Sequence, residues 1–321
     1  MGNPFHPAPI SDTPAKRIGR MKIYFLRFIN YVAGQFAWAF RRDGQSGFVF
    51  NRDNIALGVH GPIDEWLEFN RVGVFDKRGN ESFAAPFPPK ARMHITTGLI
   101  NNRPFALHGY DIFKALNQAS PKPLASFESV LDFGVGAGRL ARMFKGFRGR
   151  YTGVDVDHRN VAWVSKALKH VTAIPTKPKH PLPLESKHFD LIISVSVFSH
   201  MNEADHLFYL SELVRVAKPG AIVMLTIHGE RALKRAETES RIYNMLSVPR
   251  PAIAQTRAVF PKPGYSFILQ KGHLTTSEYD YGITFISEAY ITSAWVKYFD
   301  VLGVHPGAIH DFQDIVVLRA R

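Results

Sequence analysis

The chain has 321 residues, of which 45% are hydrophobic and 21% are charged, so it can bury a core without a disulfide or metal staple. It contains no cysteine, which excludes disulfides, zinc–thiolate sites, iron–sulfur clusters and a cysteine nucleophile. The net charge of +13 favours anionic partners in general, and nucleic acid, anionic lipid and phosphorylated glycans all stay open.

The N-terminal region carries no secretory signal, because no clean apolar run or small-residue cleavage site accompanies residues 1–20. We therefore expect a cytoplasmic protein. An aromatic-rich helix is predicted over 21–40, and Arg27 near its centre argues against a membrane-spanning role. In one interpretation it lies peripherally on the inner face of a membrane, where the basic residues of 16–42 and Trp38 contact an anionic surface. In the other it packs on the protein's own core or on a second subunit, and the sequence leaves the oligomeric state undetermined.

Helices are also predicted at 62–70 and 109–117, followed by a joint at 121–123 that contains two prolines. Beyond the joint, apolar runs of strand length alternate with helical segments, which predicts an α/β fold with a parallel sheet and crossover helices. The predicted strands are Ser129–Phe133, Tyr151–Val156, Phe189–Val197, Ala221–His228, Val301–His305 and Asp314–Arg319. The predicted helices between them begin near Gly138, His158, Asn202 and Ser287, and a turn occupies 218–220. Residues 230–285 are too long for a simple connection and are predicted to form an insertion over the site.

The most informative motif lies where the first predicted strand runs into Gly134, Gly136 and Gly138. Glycines at such a turn allow the backbone to approach a ligand closely, and we expect a nucleotide-type ligand there. A phosphate-binding P-loop is excluded, because Gly138 is followed by Arg139 and not by Lys-Ser/Thr. The G-x-G-x-G spacing also departs from the dinucleotide pattern, which disfavours a nicotinamide oxidoreductase. Asp155, at the end of the next strand, suits the two ribose hydroxyls of an adenosine.

Four motifs in order resemble the class I S-adenosylmethionine-dependent methyltransferases. They are Leu131–Arg139 (LDFGVGAGR), Gly153–Asp155, Phe189–Ile192 and Glu212–Gly220. The segments 281–285 and 313–318 are similar to the ends of bacterial members found with glycan biosynthesis. The resemblance implies a Rossmann-like seven-stranded sheet, mostly parallel with an antiparallel last strand. It covers about 85–321 as the methyltransferase domain, leaving 1–84 as an N-terminal helical extension.

The resemblance also implies the cofactor, S-adenosylmethionine, and its binding residues. Asp132 and the backbone of Gly134, Gly136 and Gly138 would hold the methionine moiety. Asp155 would accept both ribose hydroxyls, and Val156 would line the adenine pocket. The chain departs from the family after the third strand, where 173–183 offers no carboxylate for the adenine amino group. Adenine is then read by backbone groups or by Thr176.

Two histidines are candidate bases for a hydroxyl acceptor, because methyl transfer to oxygen needs a group that takes the proton. His200 follows the strand end at which this fold places its acceptor, and His228 follows the next strand. Glu230 is positioned in sequence to orient either one. Structural roles for both histidines, and helix N-terminal charge matching for Glu230, stay open. The aromatic residues predicted to divide between core packing and the acceptor-pocket wall are Tyr279, Tyr281, Phe285, Tyr290 and Trp295.

No metal is expected, because the 14 histidines form no metal-binding pair and His305 and His310 are separated by a Pro-Gly turn. The leading hypothesis is methyl transfer to a small-molecule, glycan or glycolipid acceptor, through an oxygen. The alternative is RNA or protein methylation, motivated by the charge; no Asn-Pro-Pro-Tyr-like motif follows the fourth strand, and nucleic acid is not the expected partner. A non-catalytic cofactor-binding or membrane scaffold protein is the alternative of a different class.

Overall fold

The computed structural model describes residues 85–145, 147–261, 264–270 and 279–321. The helices predicted at 21–40 and 62–70, and with them the choice between membrane and core, lie outside these ranges. Among the described residues, no helix is long and apolar enough to cross a membrane.

The described elements alternate between helices and strands along most of the chain. The strands are β1 Ser129–Phe133, β2 Arg150–Asp155, β3 Val171–Pro175, β4 Phe189–Ser194, β5 Ala217–Ile227, β6 Tyr265–Leu269, β7 Gly282–Ile286, β8 Phe299–Ile309 and β9 Gln313–Ala320. The α-helices are α1 Lys90–Thr97, α2 Asn102–Ala119, α3 His158–Ala167, α4 Glu203–Val216, α5 Glu230–Thr238, α6 Ser240–Leu246, α7 Arg250–Val259 and α8 Glu288–Ala294. Short 3-10 turns occupy Leu124–Ser126, Ala141–Phe144, Phe198–His200 and Trp295–Lys297.

Seven strands form one sheet in the order β3-β2-β1-β4-β5-β9-β8. Strands β1 to β5 pair in parallel, and β9 is inserted antiparallel between β5 and β8. This arrangement confirms the predicted Rossmann-like sheet with an antiparallel last strand. The central parallel strands β1 and β4 are almost entirely buried, as expected for strands covered by helices on both faces. Their carboxyl ends meet at a single edge, which is where this kind of sheet binds ligands.

Three of the four predicted helix starts are correct, because side chains cap them. Asp157, Asn202 and Ser287 each accept a hydrogen bond from a backbone N–H in the first turn of α3, α4 and α8. The start predicted at Gly138 is wrong. Gly138 has a φ of +81°, which a right-handed helix excludes, and the chain then makes only the 3-10 turn Ala141–Phe144.

The strands differ from the predicted ones mainly at their ends. The strand predicted to reach Val197 stops at Ser194, because Ser196 adopts a left-handed φ of +59° that leaves the sheet. The turn predicted at 218–220 forms a bulge within β5. Phe189 of β4 pairs with Ala217, whereas Leu191 pairs with Ile222, so the extra residues of β5 lie between these two pairs. Strands β3, β6 and β7 were not among the predicted strands.

Residues after β5 form helices α5, α6 and α7 and a separate two-stranded sheet of β6 and β7. Apolar side chains from all of these elements except β6 make one cluster, which includes Leu233, Ile253 and Phe285. A bridge between His228 and Phe285 joins the end of β5 to β7. The segment therefore has its own small core and sits directly beyond the carboxyl end of β5.

His206 of α4 is fully buried among aromatic rings. Its ring centroid lies 4.9 Å from that of Phe198, 5.4 Å from Tyr265 and 5.2 Å from Trp295. Among the described residues, neither ring nitrogen has a hydrogen-bond partner. Burial therefore lowers the pKa of His206 to about 3, and the folded protein holds the ring neutral.

This burial predicts an acid-sensitive fold. Because the pKa of His206 rises from about 3 to the ordinary 6.5 on unfolding, the unfolded state takes up the proton first and stability falls below pH 6.5. Between pH 7 and pH 5 the wild-type protein should lose about 2 kcal/mol more than His206→Phe in its free energy of unfolding. Urea titrations of both proteins at each pH measure the difference. Parallel pH curves would contradict the prediction.

Candidate active site

The glycine loop after β1 is held at the carboxyl edge by main-chain hydrogen bonds. The N–H groups of Gly134 and Val135 both donate to the carbonyl of Val154 on β2, each at 2.9 Å. Gly134, Gly136 and Gly138 have φ values of +88°, +55° and +81°. Glycine is the residue that adopts such conformations without strain, so this loop shape requires glycine at all three positions.

Neighbouring side chains leave no room for larger residues at two of these glycines. A Cβ on Gly134 would lie 2.3 Å from Cγ2 of Val197, and one on Gly138 would lie 2.6 Å from Cδ1 of Leu168. At Gly136 the nearest atom is the Thr96 methyl group, at 3.7 Å. The ends of β1 and β4 thus touch each other, and helix α1 passes over the centre of the loop.

Asp155 ends β2 and ties the two strand ends together. Its Oδ2 accepts the N–H of Gly136, and its Oδ1 accepts the N–H of Asp157, both at 2.7 Å. Burial raises the pKa of Asp155, and these donors oppose the rise. Each carboxylate oxygen keeps a second lone pair, so Asp155 can also accept ligand hydroxyls. Val156 is 41% exposed beside it and offers an apolar surface.

Asp132 lies one layer deeper and is only 3% exposed. Its Oδ2 accepts the hydroxyl of Tyr151 at 2.8 Å. Burial raises the pKa of Asp132 to about 7, opposed by the Tyr151 hydrogen bond. The structure therefore brings Asp132, the three glycines, Asp155 and Val156 to one edge.

Two further residues contribute to this edge: Arg92, for which the sequence offers no signal, and Tyr279, one of the aromatic residues predicted to divide between core packing and the acceptor-pocket wall. Arg92 of α1 donates to Asp157 at 2.9 Å, so α1 is fastened beside Asp155. Tyr279 reaches the same area from the segment after β6. Burial raises the pKa of its phenol, and the negative charges of Asp155 and Asp157 add to the rise. Both contacts join parts of the chain that no local pattern links.

His200 follows β4 in a 3-10 turn, and β7 fixes its orientation. Its Nδ1 lies 2.8 Å from the carbonyl oxygen of Gly282, and its ring stacks on Tyr281 with centroids 4.7 Å apart. Because a carbonyl only accepts, Nδ1 carries the hydrogen and Nε2 is the basic nitrogen of the neutral ring. This is the tautomer that a proton acceptor at Nε2 requires.

His228 lies behind His200, with ring centroids 6.0 Å apart, and is only 2% exposed. Burial, with a smaller contribution from the adjacent His200, lowers its pKa to about 3. Glu230 accepts two hydrogen bonds from Arg257 and orients neither histidine, which corrects the expected role. Of the five aromatic residues, Phe285, Tyr290 and Trp295 are core residues, whereas Tyr279 and Tyr281 lie at the site.

A polar junction joins the ends of β4, β5 and β9. The Ser196 N–H donates to Oγ1 of Thr226 at 2.8 Å, and the Gln313 side-chain amide donates to Oγ of Ser196 at 2.9 Å. Ser196 holds a left-handed φ, a conformation that persists where the surroundings enforce it. No local pattern predicts this junction, because Gln313 and Ser196 are 117 positions apart.

His310 stands at the turn between β8 and β9. Its Nε2 lies 3.1 Å from Asp111 Oδ2, and its ring centroid is 4.4 Å from that of His108. His305 is not part of this contact group. Across the described ranges, no set of three or more histidine or acidic side chains is arranged to hold a metal ion.

Comparison with known proteins finds a family model that matches part of the chain. Residues 131–225 match the family described as a methyltransferase domain. A solved structure from Pyrococcus horikoshii OT3 shares 15% identity with a TM-score of 0.48, covering 65% of this chain and 90% of that chain. The structure of the Burkholderia thailandensis 1,6-didemethyltoxoflavin-N1-methyltransferase has 1,6-didemethyltoxoflavin and S-adenosylhomocysteine bound. It shares 12% identity with a TM-score of 0.40, and the match covers 60% of this chain and 70% of that chain. The glycopeptide N-methyltransferase MtfA, solved with S-adenosylhomocysteine, shares 15% identity with a TM-score of 0.43, and the match covers 65% of this chain and 89% of that chain.

The loop geometry makes Gly134→Ala a test of the site. Gly220 is a matched control, because its φ of +78° is equally left-handed and a Cβ there meets nothing within 4 Å. Gly220→Ala should cost about 1–2 kcal/mol of backbone strain and leave S-adenosylhomocysteine binding unchanged. Gly134→Ala adds the clash with Val197 and should weaken that binding at least about tenfold, because the loop must shift. Urea denaturation and calorimetry measure both. Equal effects of the two substitutions would count against the loop as the binding site.

Proposed function

We propose that this class I S-adenosylmethionine-dependent methyltransferase transfers its cofactor's methyl group to an oxygen atom of a small-molecule, glycan or glycolipid acceptor. The observation that carries the oxygen acceptor is the fixed tautomer of His200, whose basic Nε2 stands at the end of β4. A hydroxyl is a weak nucleophile until a base takes its proton. An amine acceptor, neutral and already nucleophilic, would need no such base.

The residues at the carboxyl edge fit the cofactor. Asp155 has acceptor capacity left for two ribose hydroxyls, and Val156 exposes an apolar surface for adenine. The loop from Gly134 to Gly138 presents backbone that no Cβ obstructs, which suits the methionine end. When bound, S-adenosylmethionine supplies a methyl group on a positively charged sulfur, which is itself the reactive group.

The chain's own residues then align the acceptor and handle one proton. The acceptor oxygen forms its bond to the methyl carbon as the carbon–sulfur bond breaks, and the hydroxyl proton passes to Nε2 of His200. Gly282 holds the ring in this orientation through Nδ1, and Tyr281 stacks against its face. In-line displacement depends strongly on such alignment, and proper positioning accounts for much of the rate enhancement.

His228 is proposed as support for His200 and not as a second base. Its burial keeps it from an acceptor, and the bridge to Phe285 ties its backbone to β7, the strand that positions His200.

The anionic membrane surface stays a prediction for residues 16–42. Liposome co-sedimentation with and without 1–45 tests it, and equal binding would exclude it.

The base role predicts the effect of His200→Gln. Substitution should lower methyl transfer about 10²- to 10⁴-fold, because the amide cannot take the proton, and should change S-adenosylhomocysteine affinity less than about twofold. The assay uses radiolabelled S-adenosylmethionine and a cell-extract fraction that the wild-type protein labels. His180→Gln, at an exposed histidine after β3, is the control and should transfer normally. Full transfer by His200→Gln would exclude the base role.

A further inference from the structure

Helix α7 turns an uncharged side toward solvent, which is the reverse of an ordinary surface helix. Its inner side packs into the small core through Ile253, and the hydroxyls of Thr256 and Ser266 on β6 are hydrogen-bonded at 2.8 Å. After its first residue, the exposed positions of the helix are Pro251, Ala254, Gln255, Ala258 and Val259. A helix at a protein surface normally presents charged and polar side chains to water. The outer side of α7 therefore has the composition of a contact surface.

Two large apolar side chains are exposed on the elements next to α7. Met245, near the end of α6, is 58% exposed, and Leu269, at the end of β6, is 49% exposed. The side-chain amide of Gln270 donates to the carbonyl of Leu246 at 2.6 Å, which brings these two ends together. We call Met245, Leu269 and the exposed side of α7 the apolar face.

Positive charge without acidic residues accompanies the apolar face. Residues 240–261 contain three arginines and no Asp or Glu. Arg257 is ion-paired with two glutamates of α5, whereas Arg241 and Arg250 are exposed and form no ion pair with the described residues. The Arg250 guanidinium lies 4.3 Å from the centre of the Tyr243 ring. Exposed cations beside exposed apolar side chains are typical of a helix that lies in the interface of an anionic bilayer.

The same charges argue against a second copy of this chain as the occupant of the apolar face. A twofold contact places the same patch of both protomers in one interface, so it would bring Arg241 and Arg250 of one protomer toward those of the other. No acidic residue in 240–261 could pair them, and like charges facing each other weaken an interface. The phosphates of anionic lipids would supply the missing negative charge.

Strands β6 and β7 connect the apolar face to the acceptor end of the site. Leu269 pairs with Gly282, whose carbonyl orients His200. The N–H of Gln270 donates to the carbonyl of Tyr281 at 2.9 Å, and the Tyr281 ring stacks on His200. The headgroup of a lipid held at this face would therefore lie close to the proposed base.

We propose that the apolar face docks on an anionic bilayer and that the methyl acceptor is a hydroxyl on the headgroup of a lipid in that bilayer. Met245 and Leu269 enter the apolar part of the bilayer interface, α7 lies along it, and Arg241 and Arg250 contact lipid phosphates. The inference rests on the methyl transfer proposed above and narrows its acceptor to a lipid. It does not depend on the membrane role predicted for 16–42.

Co-sedimentation of the full-length protein with lipid vesicles tests the docking. The vesicles contain phosphatidylcholine alone or an equimolar mixture with phosphatidylglycerol. Wild-type protein should bind the mixed vesicles. The double variant Met245→Glu with Ala254→Glu should bind them at least about tenfold more weakly, because it removes an apolar side chain and places two charges on the apolar face. Arg241→Gln should weaken binding to the mixed vesicles about fivefold and leave binding to phosphatidylcholine alone unchanged.

Leu302→Glu is the matched control, since it places the same charge at a leucine of β8 that is 44% exposed and lies outside the apolar face. It should bind mixed vesicles as the wild-type protein does. Absence of binding by the wild-type protein, or equal binding by the double variant, would overturn the docking surface. A wild-type dimer that the double variant converts to a monomer in light scattering would also overturn it, in favour of a second copy. Thermal unfolding identifies any variant whose fold is lost, and Arg241→Gln then decides the outcome.

The identity of the acceptor is tested with radiolabelled S-adenosylmethionine. The labelled product should partition with lipids in a chloroform–methanol extraction, and the double variant should label vesicle-embedded acceptor at least about tenfold less while binding S-adenosylhomocysteine normally. A labelled product that stays in the aqueous phase would overturn the lipid acceptor and leave the methyl transfer standing. Failure of the wild-type protein to bind S-adenosylhomocysteine would overturn the proposed function and the lipid acceptor together.

Discussion

The hydrogen bond from the Gly136 N–H to the Asp155 carboxylate is the constraint on which the site depends. It joins the loop after β1 to the end of β2, beside the two bonds that the Val154 carbonyl accepts. The loop can reach Asp155 only because its glycines adopt left-handed conformations. The same conformations bring Gly134 against Val197 and thereby fix the end of β4. Three strand ends are thus held together by one short loop, and a ligand there meets a preformed surface.

The acceptor side is built differently, by parts of the chain that fold onto the sheet edge. Gly282 of β7 orients His200, and Gln313 of β9 holds Ser196 at the end of β4. The small core formed mainly by α5, α6, α7 and β7 includes Phe285 of the strand that carries Gly282. Changes in this segment can therefore alter the acceptor without disturbing the cofactor loop, because the two halves of the site rest on different supports.

The fold was predictable where local chemistry decides it. Short stretches of sequence determine buried strands, capping side chains and the glycine turn. For this reason β1 and the starts of α3, α4 and α8 could be predicted from the sequence. The helix expected at Gly138 was wrong because a third left-handed glycine postpones any right-handed turn. Strands β6 and β7 escaped prediction because their pairing to each other, and not their own pattern, defines them.

The sequence by itself determined the shape of the glycine loop and the strand end beside it, where we propose that the cofactor binds. Gly134, Gly136, Gly138 and Asp155 act through backbone shape and a strand end, and both are local properties that a motif records. Only the tertiary structure decided the acceptor end and the state of its charges. His200 is oriented at the edge by Gly282, 82 positions away, whereas His228 is buried. Burial and long-range contacts fix the protonation state and direction of each group, and no single stretch of sequence contains them.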